Sequence, residues 1–141
     1  KYKFEFKCRD NYFDLNQKGI DISYLGRLNY KKLIDIMNRS SVFILPSFSE
    51  GIPKALIESM NLGLNVLINE DLNLPKEIYE ASDKFSLDDF HNTALKIKNL
   101  LSRGFNEANL EFAQNYLEKS NEELHAQNNR IKIEMLGEQV V

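Results

Sequence analysis

Tyr2, Phe4, Phe6 and Cys8 alternate with Lys3, Glu5 and Lys7, a period of two that predicts a strand with one wet face. Ile20, Ile22 and Tyr24 repeat the alternation more weakly. Asn29 stands where a helix cap belongs, ahead of Leu33, Ile34 and Met37, whose spacing predicts a helix ending near Asn38-Arg39-Ser40. Val42-Phe43-Ile44-Leu45 is an unbroken apolar run stopped by Pro46. Such a run predicts a strand covered on both faces, placed centrally in a parallel sheet.

Pro53 is pre-set for the first turn of a helix that reaches about Asn61 and is ended by Gly63. Leu64 to Ile68 predicts a second buried strand, Pro75 opens a short helix through Ala81, and Phe85 marks a last short strand. Phe90, Leu95, Ile97 and Leu101 give helical spacing from Leu87 to Arg103. From Asn106 to about Leu136 the pattern stays helical, with a break expected near Ser120 and Asn121, and these helices are expected to pack back across the sheet. Strands alternating with helices predict an α/β fold: a Rossmann-like, doubly wound parallel sheet in three α/β/α layers with extra C-terminal helices. No repeat, low-complexity tract or linker interrupts the 141 residues, so one domain is expected.

Composition narrows the chemistry. Hydrophobic residues make up 43% and charged residues 28%, a globular balance, and no apolar run approaches the ~20 residues of a membrane span. A net charge of −3 with scattered lysines disfavours nucleic acid as a partner. Cys8 is the only cysteine, which excludes an internal disulfide and a cysteine-based zinc site and suits a reducing cytoplasm. His91 and His125 lack ligand-like spacing, so no bound metal is expected.

The stretch with chemical content follows the Val42–Leu45 run. Ser47-Phe48-Ser49-Glu50-Gly51-Ile52-Pro53 leaves a strand at its carboxyl end and enters a helix, so the free N–H groups of Gly51, Ile52 and Lys54 are expected to face a crevice. Those groups and the helix dipole favour an anion, and Gly51 has no Cβ to hold it off. Phosphate is the anion that fits. Glu58 lies five residues beyond Pro53, about 7–8 Å along the axis, and a carboxylate accepts from two neighbouring hydroxyls at once. Glu58 therefore suits a ribose diol and Glu50 the hydroxyls of a sugar. Plainer roles exist for both: Glu50 beside the positive end of the helix, and Glu58 paired with Lys54 one turn back on a solvated face.

Pro46-Ser47, then Glu50-Gly51-Ile52-Pro53-x-Ala55-Leu56-Ile57-Glu58-Ser59-Met60, then Gly63-Leu64-x-Val66-Leu67-Ile68 resembles the E-x7-E region of the family 4 (group 1) retaining glycosyltransferases of the GT-B fold. Tyr24-Leu25-Gly26-Arg27-Leu28 is similar to the strand and glycine ahead of the corresponding helix in that family. The likeness runs from about Tyr2 to Ala81 and more loosely through the later helices.

The resemblance implies that the chain is a C-terminal, donor-binding domain. It implies that Glu50 contacts the donor hexose, that Glu58 contacts the ribose, and that both serve catalysis. Main-chain groups of Gly51, Ile52 and Pro53 would surround the sugar and diphosphate, and Arg27 and Leu28 would meet the base. The donor would be a UDP-, GDP- or ADP-sugar, transferred with retention to an acceptor hydroxyl in polysaccharide, lipopolysaccharide or glycolipid synthesis. No D-x-D triplet occurs, so a metal-independent reaction without a cofactor is expected. The family's phosphate-binding Arg and Lys, and its acceptor domain, correspond to nothing in this chain. It is therefore expected to be an N-terminally truncated domain, inactive alone, whose full-length enzyme is cytoplasmic with scope for peripheral membrane attachment through the missing domain. The loop Asn69-Glu70-Asp71-Leu72-Asn73-Leu74-Pro75 is longer and more acidic than the family's turn. Two other readings stay open: a non-catalytic nucleotide-sugar-binding or scaffolding module of this fold, indifferent to loss of Glu58, and another GT-B enzyme such as an epimerase or phosphorylase.

Overall fold

The computed structural model describes residues 2–6 and 20–137; the extension of the first predicted strand to Cys8 lies outside them. The chain forms two compact units, Lys1–Arg39 and Ser40–Val141. In the first, strands β1 (Tyr2–Phe6) and β2 (Ile20–Tyr24) pair in parallel, Tyr2 opposite Ile20 and Phe6 opposite Tyr24. Helix α1 (Tyr30–Met37) begins where the sequence places its cap: the Asn29 side chain accepts from the Lys32 N–H at 2.9 Å.

The second unit holds β3 (Val42–Leu45), α2 (Lys54–Asn61), β4 (Asn65–Asn69), α3 (Lys76–Ala81), β5 (Asp83–Phe85), α4 (Phe90–Arg103) and α5 (Glu107–Gly137). Its strands pair in parallel in the order β3-β4-β5. Successive side chains on a strand point to opposite faces, and both faces of this sheet are apolar. Val66 and Ile68 of β4, with Phe43 and Leu45 of β3, pack with Leu56, Ile57 and Met60 of α2, Ile78 of α3 and Ala113 of α5. Leu67, between them in sequence, packs with Phe85 and Leu100 on the other face, where Val42, Ile44 and Ile97 join it. The architecture is the expected Rossmann-like α/β arrangement, helices lying on both sides of a parallel sheet.

Three expectations change. The run at 42–45 is indeed packed on both faces, but the central strand of its sheet is β4, all five of whose residues are buried, whereas β3 is hydrogen-bonded along one edge of that sheet. An apolar run reports covered faces and says nothing about lateral neighbours. Helix α4 starts at Phe90 rather than Leu87 because the Asp89 side chain caps it, accepting from the Asn92 N–H at 3.0 Å. Finally, α5 runs unbroken for 31 residues, through Ser120 and Asn121. It contains no Pro and no interior Gly, and an exposed Ser or Asn costs only a few tenths of a kcal/mol in a helix. Its first turns hold it to the body through buried Asn109 and Ala113, with Phe112 and Tyr116 stacked beside them.

Helix α2 ends at Gly63 as the sequence predicts. The Gly63 N–H donates to Met60 O at 2.8 Å and the Leu64 N–H to Ser59 O at 3.1 Å, the two bonds of a Schellman cap, with Gly63 at φ 70°. A Cβ there would also overlap the Phe105 ring. Gly63→Ala is expected to lower the unfolding free energy by about 1–2 kcal/mol from left-handed backbone strain alone, with displacement of Phe105 adding to it. Urea denaturation measures the total, and in a Phe105→Ala background the added part should vanish.

The Asp89 cap carries a pH dependence. Its carboxyl is held below the usual carboxylate value by the Asn92 N–H first and the Asn92 side-chain amide second, against desolvation and with lesser help from His91 and Lys96. A depressed folded value means that the cap's stabilisation is present above the unfolded carboxyl value, near pH 4, and is lost as pH falls through the folded value. The protection of the Asn92 and Thr93 amides, taken as their exchange rate against the intrinsic rate at each pH, should therefore fall on acidification below about pH 4. In Asp89→Asn that acid-dependent step should disappear.

Candidate functional site

Ligands of open α/β sheets bind beyond the carboxyl ends of the strands, and the β3–α2 loop occupies such an end. Its conformation is fixed at three points. The Ser47 hydroxyl donates to Glu50 Oε1 at 2.8 Å, the buried Asn69 side chain donates to Ser47 O at 3.3 Å, and Ser49 makes a parallel bridge with Asn73. The β3–α2 and β4–α3 loops are thereby joined side by side.

At the start of α2 the first helical bonds run from the Leu56 and Ile57 N–H groups to Pro53 O, at 2.9 and 3.4 Å. Pro53 stands immediately before the helix and has no N–H to offer. The N–H groups of Gly51, Ile52, Lys54 and Ala55 donate to no acceptor among the described residues. Orphan donors at a helix start are satisfied by water or by a ligand. Beyond its two chain neighbours, no atom of the described residues lies within 4 Å of where a Gly51 Cβ would stand, so no packing within the described structure demands a glycine there.

Glu50, Gly51, Ile52 and Pro53 stand in succession on the β3–α2 loop, and Glu58 on α2. Pro53 and Glu58 are half-buried, while Glu50, Gly51 and Ile52 are exposed. The crevice expected at the loop is, within this unit, an open surface, on which Phe48 is 66% and Ile52 55% exposed. On α2 the buried positions are Leu56, Ile57, Ser59 and Met60, which leaves Lys54, Glu58 and Asn61 on the outer stripe. Yet Lys54 and Glu58 do not pair; the described ion pairs are Lys76–Glu80, Arg103–Asp83 and Lys119–Glu77. The plain role for Glu58 as half of a helix-surface ion pair is thus removed. Arg27, exposed, and Leu28, half-buried, belong to the first unit, on the turn after Gly26 at φ 58°.

Two hollows open elsewhere in the second unit. One, of about 550 Å³, lies among Glu70, Ser86, Asp89, Thr93, Lys96 and Asn99, and another, of about 280 Å³, lies between Pro75, Glu77, Tyr116 and Lys119. Size does not make the first the better site. Asp89 is committed to the α4 cap, the Thr93 hydroxyl to Ser86 O, and the Lys96 ammonium to Lys84 O. The loop, by contrast, presents donors with nothing to bind.

The sequence profile described as glycosyl transferases group 1 matches residues 14–119 of the 141. The chain belongs to the group 1 glycosyl transferases. Neither a curated protein nor a solved structure matches it. As a group 1 glycosyl transferase domain it serves glycosyl transfer, with a nucleotide sugar as the general class of donor. The match covers both loops of the candidate site and closes inside α5 at Lys119, the residue that pairs with Glu77 of α3. No helix among the described residues is long and apolar enough to cross a membrane.

Sequence reasoning missed Asn69. It falls at the end of a strand read as apolar, and its one signal was a polar residue closing the buried run Val66-Leu67-Ile68.

Proposed function

We propose that this group 1 glycosyl transferase domain binds a nucleoside diphosphate sugar across the β3–α2 loop and the first two turns of α2, and that it is the donor-binding domain of a retaining enzyme. The diphosphate lies on the Gly51, Ile52 and Lys54 amides, where unpaired donors and the positive end of the helix dipole favour an anion. Glu58 accepts from the ribose diol and Glu50 from hydroxyls of the hexose. Pro53 offers its region only a carbonyl. The donor is a UDP-, GDP- or ADP-hexose, and the acceptor an alcohol of a growing polysaccharide, lipopolysaccharide or glycolipid.

Transfer breaks the bond between the anomeric carbon and the diphosphate oxygen and forms one to the acceptor oxygen, whose proton passes to the departing diphosphate. Negative charge grows on the departing diphosphate. Fixed amides aimed at that charge stabilise the transition state more than the ground state, and no metal or cofactor is invoked.

The observation that carries this reading is the contrast within one loop. Its flanks are pinned through Asn69, Ser47 and the Ser49–Asn73 bridge, while the Gly51, Ile52 and Lys54 amides and the Glu58 carboxylate have no partner among the described residues. Calorimetric titration of the protein with UDP, GDP, ADP and their hexose derivatives tests it. One nucleotide series should bind, the hexose form more tightly than the bare diphosphate. Absence of binding by every member would remove the proposal.

A further inference from the structure

We infer that Asn69 and Ser47 are positioning residues for the Glu50 carboxylate, so that preference for the sugar over the bare nucleotide is set from β4 rather than by the loop alone. The inference rests on the reading of Glu50 as the hexose contact.

Glu50 is exposed, and a free glutamate side chain loses rotamer freedom when a ligand immobilises it. Here part of that loss is met before any ligand arrives. One carboxylate oxygen accepts from the Ser47 hydroxyl at 2.8 Å, which leaves Oε2 and the second lone pair of Oε1 for sugar hydroxyls. Ser47 could not hold the acid in place if its own backbone swung with the loop. It does not swing freely, because Asn69, with no exposed surface, donates from Nδ2 to Ser47 O at 3.3 Å.

Asn69 is itself fixed on its other side. Its Oδ1 accepts from the Asp71 N–H at 3.3 Å, and its backbone lies in register with Phe85 of β5. A rigid central strand is therefore linked through one amide and one hydroxyl to the exposed acid. The same strand end continues into the acidic β4–α3 loop, which the Ser49–Asn73 bridge and a bond from the Tyr79 hydroxyl to Glu70 O hold beside the site. The unusual length of that loop and the orientation of Glu50 thus belong to one arrangement.

The test compares two affinities in each protein, for the nucleoside diphosphate and for its hexose derivative, by calorimetry. Ser47→Ala should weaken the hexose derivative about five- to tenfold, because the Glu50 rotamer freedom that the Ser47 hydroxyl removes beforehand must then be lost on binding, and change the bare diphosphate less than about twofold. Ser47→Thr, which keeps the hydroxyl, should restore the parent ratio. Asn69→Asp, which keeps the shape and loses the Nδ2 donor, should shift the ratio in the same direction; if it does not fold, the Ser47 pair still decides. An equal loss for both ligands in Ser47→Ala, an unchanged hexose affinity, or failure of Ser47→Thr to restore it overturns the inference. A parent protein that binds neither ligand, or both equally, overturns instead the functional reading beneath it.

Discussion

Asn65→Asp is expected to lower the unfolding free energy by about 3–5 kcal/mol at pH 7, a large share of the 5–15 kcal/mol typical of a domain. Asn65 is fully buried at the amino end of β4. Its Nδ2 lies 2.8 Å from Gly104 O, 3.3 Å from Leu100 O and 3.4 Å from Ser41 O, and its Oδ1 accepts from the Asn106 side chain at 3.1 Å. One side chain therefore joins the segment before β3, the end of α4 and the start of α5. The isosteric acid keeps the volume and removes both hydrogens. It leaves carbonyl oxygens facing a carboxylate, each orphaned buried group costing about 1–3 kcal/mol.

The sign of the pH response identifies the cause. Burial among carbonyls disfavours the charged acid and raises its folded pKa above the unfolded value. Between the two values the native state binds more protons than the unfolded state, so stability falls as pH rises. The loss should be smallest near pH 4 and greatest above the folded pKa. Urea denaturation across that range measures it. A midpoint equal to the parent's at neutral pH would mean that Asn65 joins nothing that matters.

The sequence and the structure agree where a single local rule decides. Pro53 and Gly63 bracket α2 because one lacks an N–H that a helix start does not need, and the other tolerates φ 70°. Asn29 caps α1 for an equally local reason. Agreement fails where the deciding partner is distant in sequence. Val42–Leu45 and Leu64–Ile68 both read as buried strands, and only pairing shows that β4 has neighbours on both sides. Asn65, Asn69 and Asn109 read as polar interruptions, yet they reach partners 22 to 45 residues away. For the candidate site, the loop, the acids and Gly51 were legible from residue types and spacing. Neither the Asn69 tether nor the missing Lys54–Glu58 pair was, because an i, i+4 spacing permits an ion pair without requiring one.

Glu58→Ala is expected to weaken nucleoside diphosphate binding tenfold or more while leaving the fold within about 0.5 kcal/mol of the parent. The two halves of that expectation have separate grounds. Glu58 is half-buried on the outer stripe of α2, and its carboxylate has no ion-pair or hydrogen-bond partner among the described residues, so its removal orphans nothing. In the complex, a carboxylate receiving two ribose hydroxyls makes charge-assisted bonds, each stronger than a neutral one. Glu58→Gln keeps one acceptor oxygen and loses the charge, so its affinity should fall between parent and Glu58→Ala. The ribose itself supplies the second leg of a cycle. A 2′-deoxynucleotide should bind the parent more weakly than the ribonucleotide, and Glu58→Ala should bind the two alike, because the coupled pair is then already broken. Equal ribonucleotide affinity in parent and Glu58→Ala would move the nucleotide off α2 and favour a non-catalytic role for the domain. A loss that is the same for ribo- and deoxyribonucleotides would keep the site and remove the diol from it.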